Sequence, residues 1–194
     1  MPSKKDKTKI EPGKVFHIFN RGIDKAKIFI NVDDYDFFML KYQQYVAPYV
    51  TTYAICLLPN HFHILLRVNP YRNENDSVSE HLRRFFIVIA QRINKKTNRK
   101  GGLFCKSFKR LAVEDMNYLK RIVFYIHWNP EKHGIIRDYK LYAFSTYSHI
   151  VNNNNCLVDV KEVLYWFGGL ESFLEYQDVI HDEIILKKLT MEDD

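Results

Sequence analysis

An α+β fold, a ferredoxin-like antiparallel sheet with helices on one face plus a C-terminal helical appendage, is what three features of the sequence predict. The first is size and composition: 194 residues, 46% hydrophobic and 15% aromatic with only 7 Gly and 6 Pro, suffice for one core and exclude collagen-like, low-complexity or wholly disordered chains. The second is the order of apolar periods between residues 15 and 113, which reads strand, helix, strand, strand, helix, strand. The third is a change of charge: residues 1–110 hold 21 bases and 9 acids, residues 111–194 hold 8 and 14. Residues 1–13 are accordingly expected to be a basic flexible tail, 14–150 the main domain and 151–194 an acidic helical appendage.

Each element has a local cause. Val15 to Asn20 alternates as a short strand and closes at the turn-forming Asn20-Arg21-Gly22. Asp33 or Asp34 can cap a helix that carries Phe37, Leu40, Tyr42 and Tyr45 and stops at Pro48. Residues 49–58 and 61–68 are β-branched and aromatic, and the turn dipeptide Pro59-Asn60 between them makes a β-hairpin. Ser77 or Ser79 then caps a helix to about Lys96, with Leu82, Phe85, Phe86, Ile89 and Ile93 at helical spacing. Gly101-Gly102 breaks the pattern, residues 103–113 read as extended, and Asp115 caps a third helix that Pro130 is expected to end near Asn129. Beyond the Asn-rich residues 152–155, residues 159–167 and 170–189 have helical spacing.

Charge carries the first functional information. From His81 to Arg110 there are ten bases, among them Arg84, Arg92, Lys95, Arg99, Lys106, Lys109 and Arg110, and no acid. Such a stretch is the footprint of a phosphate-backbone partner, the competing reading being a solvated helix face. No apolar run reaches the length of a membrane span, and the lysine-rich N-terminus has no apolar segment behind it, so a cytoplasmic, nucleoid-associated protein with no membrane partner is expected. Cys56, Cys105 and Cys156 are far apart and form no CxxC pair, which points to free thiols.

Two constellations can do chemistry. In His61-Phe62-His63, residues two apart on a strand share a face at about 6.5 Å, so two imidazoles can converge on one metal ion, or both can simply hydrogen-bond in a half-buried hairpin. In the third helix, Arg121, Tyr125 and Asn129 recur every four residues and form one polar stripe beside Leu119, Ile122 and Ile126. One of 13 tyrosines is by default a packing residue, and only these neighbours distinguish Tyr125.

These residues resemble the REP-associated tyrosine transposases, within the single-tyrosine transposases of the HUH nuclease group. The resemblance rests on His17-Ile18-Phe19-Asn20-Arg21-Gly22, Leu58-Pro59-Asn60-His61-Phe62-His63-Ile64-Leu65-Leu66, Gly102-Leu103-Phe104 and Tyr125-Ile126-His127-Trp128-Asn129-Pro130 with Gly134, in that order over residues 15–150. It implies that residues 14–150 are a catalytic domain, that His61 and His63 hold a divalent metal, Mg²⁺ or Mn²⁺, with Asn129 as third ligand, and that Tyr125 is the nucleophile. It also implies cleavage of single-stranded or hairpin DNA through a 5′-phosphotyrosine. Cys105 stands where many members have Gln, and the segment after Asn155 matches no motif of the family.

The chemistry suits those groups. A hard cation with few protein ligands neutralises the non-bridging and leaving oxygens of a phosphodiester. A phenol is a weak acid, so Tyr125 needs a nearby cation, for which Arg121 is the sequence candidate, or a base. Arg21 and Arg121 complete the expected DNA-binding set. The main rival is a non-catalytic, domesticated DNA-binding protein on the same fold; a zinc hydrolase is a weaker one, for want of a carboxylate near His61. A monomer or a homodimer is expected, the monomer if the appendage covers a sheet edge.

Overall fold

The computed structural model describes residues 9–71, 77–105, 107–154 and 157–192. The first eight residues of the expected flexible tail, Lys106 and Cys156 lie outside these. Strands β1 (Val15–Arg21), β2 (Val50–Leu58), β3 (His61–Val68) and β4 (Lys109–Val113) form one sheet in the order β2-β3-β1-β4, every neighbouring pair antiparallel. This is the strand order of the ferredoxin-like arrangement.

Alternation along the strands divides the molecule into layers. Phe16, Ile18, Phe62, Ile64 and Leu66 point to one face, where helices α1 (Val32–Tyr45) and α2 (Val78–Thr97) cover them with Phe38, Tyr42, Leu82, Phe85 and Ile89. His17, His63 and Leu65 point to the other. There helix α3 (Met116–Lys132) lays Leu119, Ile122, Val123 and Ile126 over Ala54, Cys56, Leu58 and Leu65. Helices α4 (Tyr147–Val151), α5 (Val160–Phe167) and α6 (Leu170–Glu192) join that second core. Helices on one face thus describes α1 and α2 only; α3 and the appendage cover the opposite face. β2 shows why: Ala54, Ile55, Cys56 and Leu57 are each at most 2% exposed, so both of its faces need a cover.

Two elements differ from the sequence expectation. The extended stretch 103–113 is a strand only over Lys109–Val113, because residues 103–105 cross to the end of β1 instead. Ile23 N–H donates to the Leu103 carbonyl (2.9 Å) and Cys105 N–H to the Arg21 carbonyl (2.9 Å). Helix α3 does not end at Asn129 but runs through Pro130 to Lys132. Its close is the reason: Ile135 N–H donates to the Pro130 carbonyl (2.8 Å), Gly134 N–H to that of Glu131 (2.9 Å), and Gly134 has φ +65°. That paired ending satisfies the last carbonyls at a position only glycine adopts easily, and Pro130 withholds a single amide from the ladder above it.

The outer edge of β2 is sealed by the chain itself. Leu57 N–H donates to the Phe144 carbonyl (2.9 Å), Thr146 N–H to that of Ile55 (2.9 Å), and Ile55 N–H to the Thr146 hydroxyl (2.9 Å). Asp159 N–H closes the far end on the Thr52 carbonyl (2.9 Å). A row of amides that would otherwise seek a partner strand is thereby occupied.

An ion pair between an exposed lysine and a buried carboxylate ties α1 to α2. Asp34, 2% exposed, accepts from Lys96 Nζ (2.8 Å) and from the Ile30 (2.9 Å) and Asn31 (3.3 Å) amides. Burial pushes its pKa up, but the Lys96 hydrogen bond, the two amides and the Lys96 charge outweigh it, and the pKa ends below the usual carboxylate value. A depressed native pKa contributes stability above the unfolded pKa, and that contribution is lost as pH falls through the native one. Asp34→Asn should therefore cost roughly 1–3 kcal/mol at neutral pH and flatten the acid limb of stability below about pH 4. Urea unfolding followed between pH 2 and 7 checks both.

Candidate active site

At one end of the sheet, on the α3 side, the structure opens a cleft of about 960 Å³. Its floor is β1 and β3. His61 begins β3, and its ring meets that of His63 at 5.3 Å between centroids and 88° between planes. Tyr125, on α3, sets its ring edge-on to His63 at 5.5 Å. Three residues that the sequence singled out from two distant motifs are therefore neighbours across one cleft.

Asn129 lies one helical turn after Tyr125 and is fully buried. Its Nδ2 donates to the Tyr125 carbonyl (2.5 Å), which turns Oδ1 the other way. That oxygen makes no well-aligned hydrogen bond, yet the amide lies near enough to His61 to raise that ring's proton affinity. A buried carbonyl oxygen beside the His61 imidazole is a donor of the kind a third metal ligand requires.

The imidazoles are in the right state to ligate. Burial, with the neighbouring His133 next, lowers the His61 pKa to about 4; burial, with His17 next, holds that of His63 well below its ordinary value. Both rings are neutral at physiological pH. His61 Nδ1 lies 2.7 Å from Asn60 Oδ1, and since that oxygen only accepts, the ring proton is on Nδ1 and Nε2 keeps its lone pair. His61, His63 and Asn129 thus fit a hard divalent cation held by few protein ligands. Among the described residues no cluster of three or more His, Cys, Asp or Glu side chains is arranged to hold a metal.

The expected DNA-binding residues are divided between the two layers. Arg21 and Lys109 line the cleft, and Lys109 stands opposite Phe19 in the β1–β4 register, with its Nζ 5.9 Å from that ring. Arg110, one residue on, shares the opposite face with Ile18 and lies against Phe108. Arg84, Arg92 and Lys95 belong to α2, behind the sheet; Arg84 pairs with Glu80 (3.0 Å), and Arg92 reaches Asp34 (3.8 Å) and stacks on Phe37. The acid-free stretch is thus partly compensated by acids outside it. Arg99 Nε donates to the Gly102 carbonyl (3.3 Å), and Lys106 lies outside the described residues. Arg121 is exposed and engages the Tyr176 hydroxyl of α6.

The cation that reaches Tyr125 is another. Lys132 Nζ sits 4.7 Å from the centroid of the Tyr125 ring, and His133 stacks edge-on to His61 at 4.7 Å. Both follow from the continuation of α3 past Pro130. They stand seven and eight residues after Tyr125, a helical spacing that ending the helix at Asn129 conceals. His17, on β1, and Lys25, on the cleft rim, were missed as well. His127 and Trp128 are buried beside Tyr147 and Phe124, packed and not presented to a ligand.

The rim is rigidly set. Gly22 N–H donates to the Asn60 carbonyl (2.8 Å), and a Cβ at Gly22 would stand 2.0 Å from the Ala26 carbonyl oxygen, so only glycine lets the turn close. Cys105, half-buried, directs its Sγ to the Gly22 carbonyl at 3.2 Å.

No protein-family model matches the chain. A curated protein of Haemophilus influenzae named "Putative REP-associated tyrosine transposase" is 26% identical over 157 residues, spanning 75% of this chain and 83% of the relative. The solved structure of a REP-associated tyrosine transposase bound to a REP hairpin superposes with a TM-score of 0.61 at 19% identity, covering 82% of this chain and 90% of the other. The second likeness concerns the fold, the first the sequence.

Proposed function

We propose that the chain is a REP-associated tyrosine transposase, a metal-dependent single-strand DNA endonuclease and strand transferase acting beside a DNA hairpin, a reading supported by its likeness to the Haemophilus influenzae relative and by the shared fold. One observation carries the reading: Tyr125, His61 and His63 converge on a cleft rimmed by Arg21, Lys25 and Lys109, with the buried Asn129 amide next to His61 and no carboxylate among the described lining residues. A cleft of that charge suits a phosphodiester.

His61, His63 and Asn129 would hold Mg²⁺ or Mn²⁺, which when bound supplies charge neutralisation at the phosphate oxygens. The chain's own residues do the rest. Arg21 and Lys109 hold the flanking backbone, and the half-buried Phe19 ring lines the cleft as an apolar surface against which a base can pack. Tyr125 Oη attacks phosphorus; the bond from phosphorus to the 3′-oxygen breaks; that oxygen leaves with a proton as a 3′-hydroxyl, and the 5′-phosphate stays on tyrosine. Lys132, over the Tyr125 ring at 4.7 Å from its centroid, holds a positive charge beside the attacking residue. Because the ester retains the energy of the broken bond, attack by another 3′-hydroxyl rejoins the strand without a nucleotide cofactor.

A labelled hairpin oligonucleotide with single-stranded flanks, incubated with the protein and Mn²⁺, should give a protein–DNA species that survives denaturation. No such species from any of a series of hairpins would make the chain a non-catalytic DNA binder. Binding itself should depend on the cleft: Arg21→Ala with Lys109→Ala should flatten the logarithmic salt dependence by about 1.4, at about 0.7 per lost single-strand phosphate contact. Changing Arg84, Arg92 and Lys95 together should flatten it less, since two of the three already have acidic partners. Fluorescence anisotropy at four salt concentrations measures both. No helix among the described residues is long and apolar enough to cross a membrane.

A further inference from the structure

His17 is a buried imidazole behind the cleft, in contact with His63, that the proposed chemistry leaves unused. It is 3% exposed, its Nε2 lies 2.9 Å from Nδ1 of His63, and its ring stacks on Phe19 at 4.8 Å. Strand pairing sets this contact. His17 and His63 lie on the same face of adjacent strands, two residues off register along the β1–β3 ladder, where Phe19 stands opposite His63.

At 2.9 Å the two ring nitrogens share a single hydrogen, so one ring donates and the other accepts. Two arrangements of the His17–His63 bond follow. If His17 donates, His63 accepts on Nδ1, carries its own proton on Nε2, and has no lone pair left for a metal. If His63 donates from Nδ1, His17 accepts on Nε2 and the His63 Nε2 lone pair is open to the cleft. Only the second permits ligation, and it repeats what Asn60 does for His61. It places the His17 proton on Nδ1, the atom that has no partner in the structure.

We infer that His17 is a positioning residue of the metal site, accepting the Nδ1 proton of His63 so that both histidines of the pair present Nε2 to one ion. The inference rests on His61 and His63 being the metal ligands. Groups that fix a ligating imidazole in this way are commonly carboxylates, carbonyls or waters; a second imidazole does so only in one of its two tautomers. Because His17 never touches the phosphate, its loss acts on metal affinity and leaves the other cleft contacts in place.

The test uses Mn²⁺ alone as probe, its free signal followed by electron paramagnetic resonance. His17→Phe keeps the ring and removes the acceptor, and should weaken Mn²⁺ binding about tenfold to hundredfold. His17→Gln puts an amide oxygen near the place of Nε2, and should bind within about threefold of wild type. Nitrogen NMR of the wild-type protein with Mg²⁺ should find the His63 proton on Nδ1. Equal weakening in Phe and Gln variants would reduce His17 to packing, and unchanged binding in His17→Phe or a His63 proton on Nε2 would overturn the inference. Failure of wild type to bind Mn²⁺ would instead remove the metal reading beneath it.

Discussion

Tyr125→Phe should eliminate the covalent protein–DNA species while leaving the fold and the hairpin affinity at wild-type values. The change deletes one oxygen. The ring that remains still meets His63 at 5.5 Å and still lies under Lys132 at 4.7 Å, so neither core nor cleft has cause to move. Loss of a nucleophile removes the covalent route itself, and adduct yield should fall by at least three orders of magnitude, on the order of what loss of a catalytic nucleophile costs elsewhere. Denaturing electrophoresis of radiolabelled hairpin reads the adduct, and anisotropy the affinity. An adduct that persists would put the attack on another of the 13 tyrosines. Asn129→Ala separates the two halves of the site: it should slow the reaction about tenfold to hundredfold and recover at high Mn²⁺, since the nucleophile is intact.

Removing the histidine pair should be as severe for cleavage and nearly silent for binding. His61→Ala with His63→Ala takes away two of three proposed ligands, and metal-dependent cleavage should drop below detection at any accessible Mn²⁺ concentration. Hairpin affinity should stay within about threefold, because phosphate contacts dominate it. His63→Ala also opens a hole in the buried layer and strands His17, at a cost of roughly 1–3 kcal/mol in stability. His61→Ala is the cleaner variant, its ring standing at the cleft mouth, and should alone lose most of the rate. Cleavage by the double variant at the wild-type rate would end the assignment of both residues.

The sequence made the sheet legible because period-two alternation is a local property. The strands containing His17 and His61, the turn at Pro59-Asn60 and the placing of Phe62 in the core all follow from it. Convergence of the His pair on Tyr125 was legible too, as an expectation carried by the family's motifs. What stayed hidden is nonlocal. Asp34 draws Lys96 from 62 residues away, so a window running from His81 to Arg110 could not show that the acid-free stretch has partners. Lys109 and Arg110 are adjacent in sequence and point to opposite layers, a division that charge counting cannot see. The helix boundary at Pro130 was misplaced because a proline near a C-terminus costs little when a glycine closes the helix four residues on. That one misplacement concealed Lys132 and His133, and left Arg121, which serves the appendage, as the apparent partner of Tyr125.

The seal on β2 also orders events in time. Thr146 closes on Ile55 across 91 residues of chain, so the sheet edge is complete as a pairing surface well before the segment that covers it has been made. At ribosomal rates of about 5–20 residues per second, that leaves an interval of roughly 5–18 s in which the nascent protein carries an open, apolar strand edge. The C-terminal quarter is thus a late-arriving guard as well as part of a second core. A chain cut short between residues 113 and 146 would have the whole sheet and both histidines of the pair, and no means of keeping its edge from other chains.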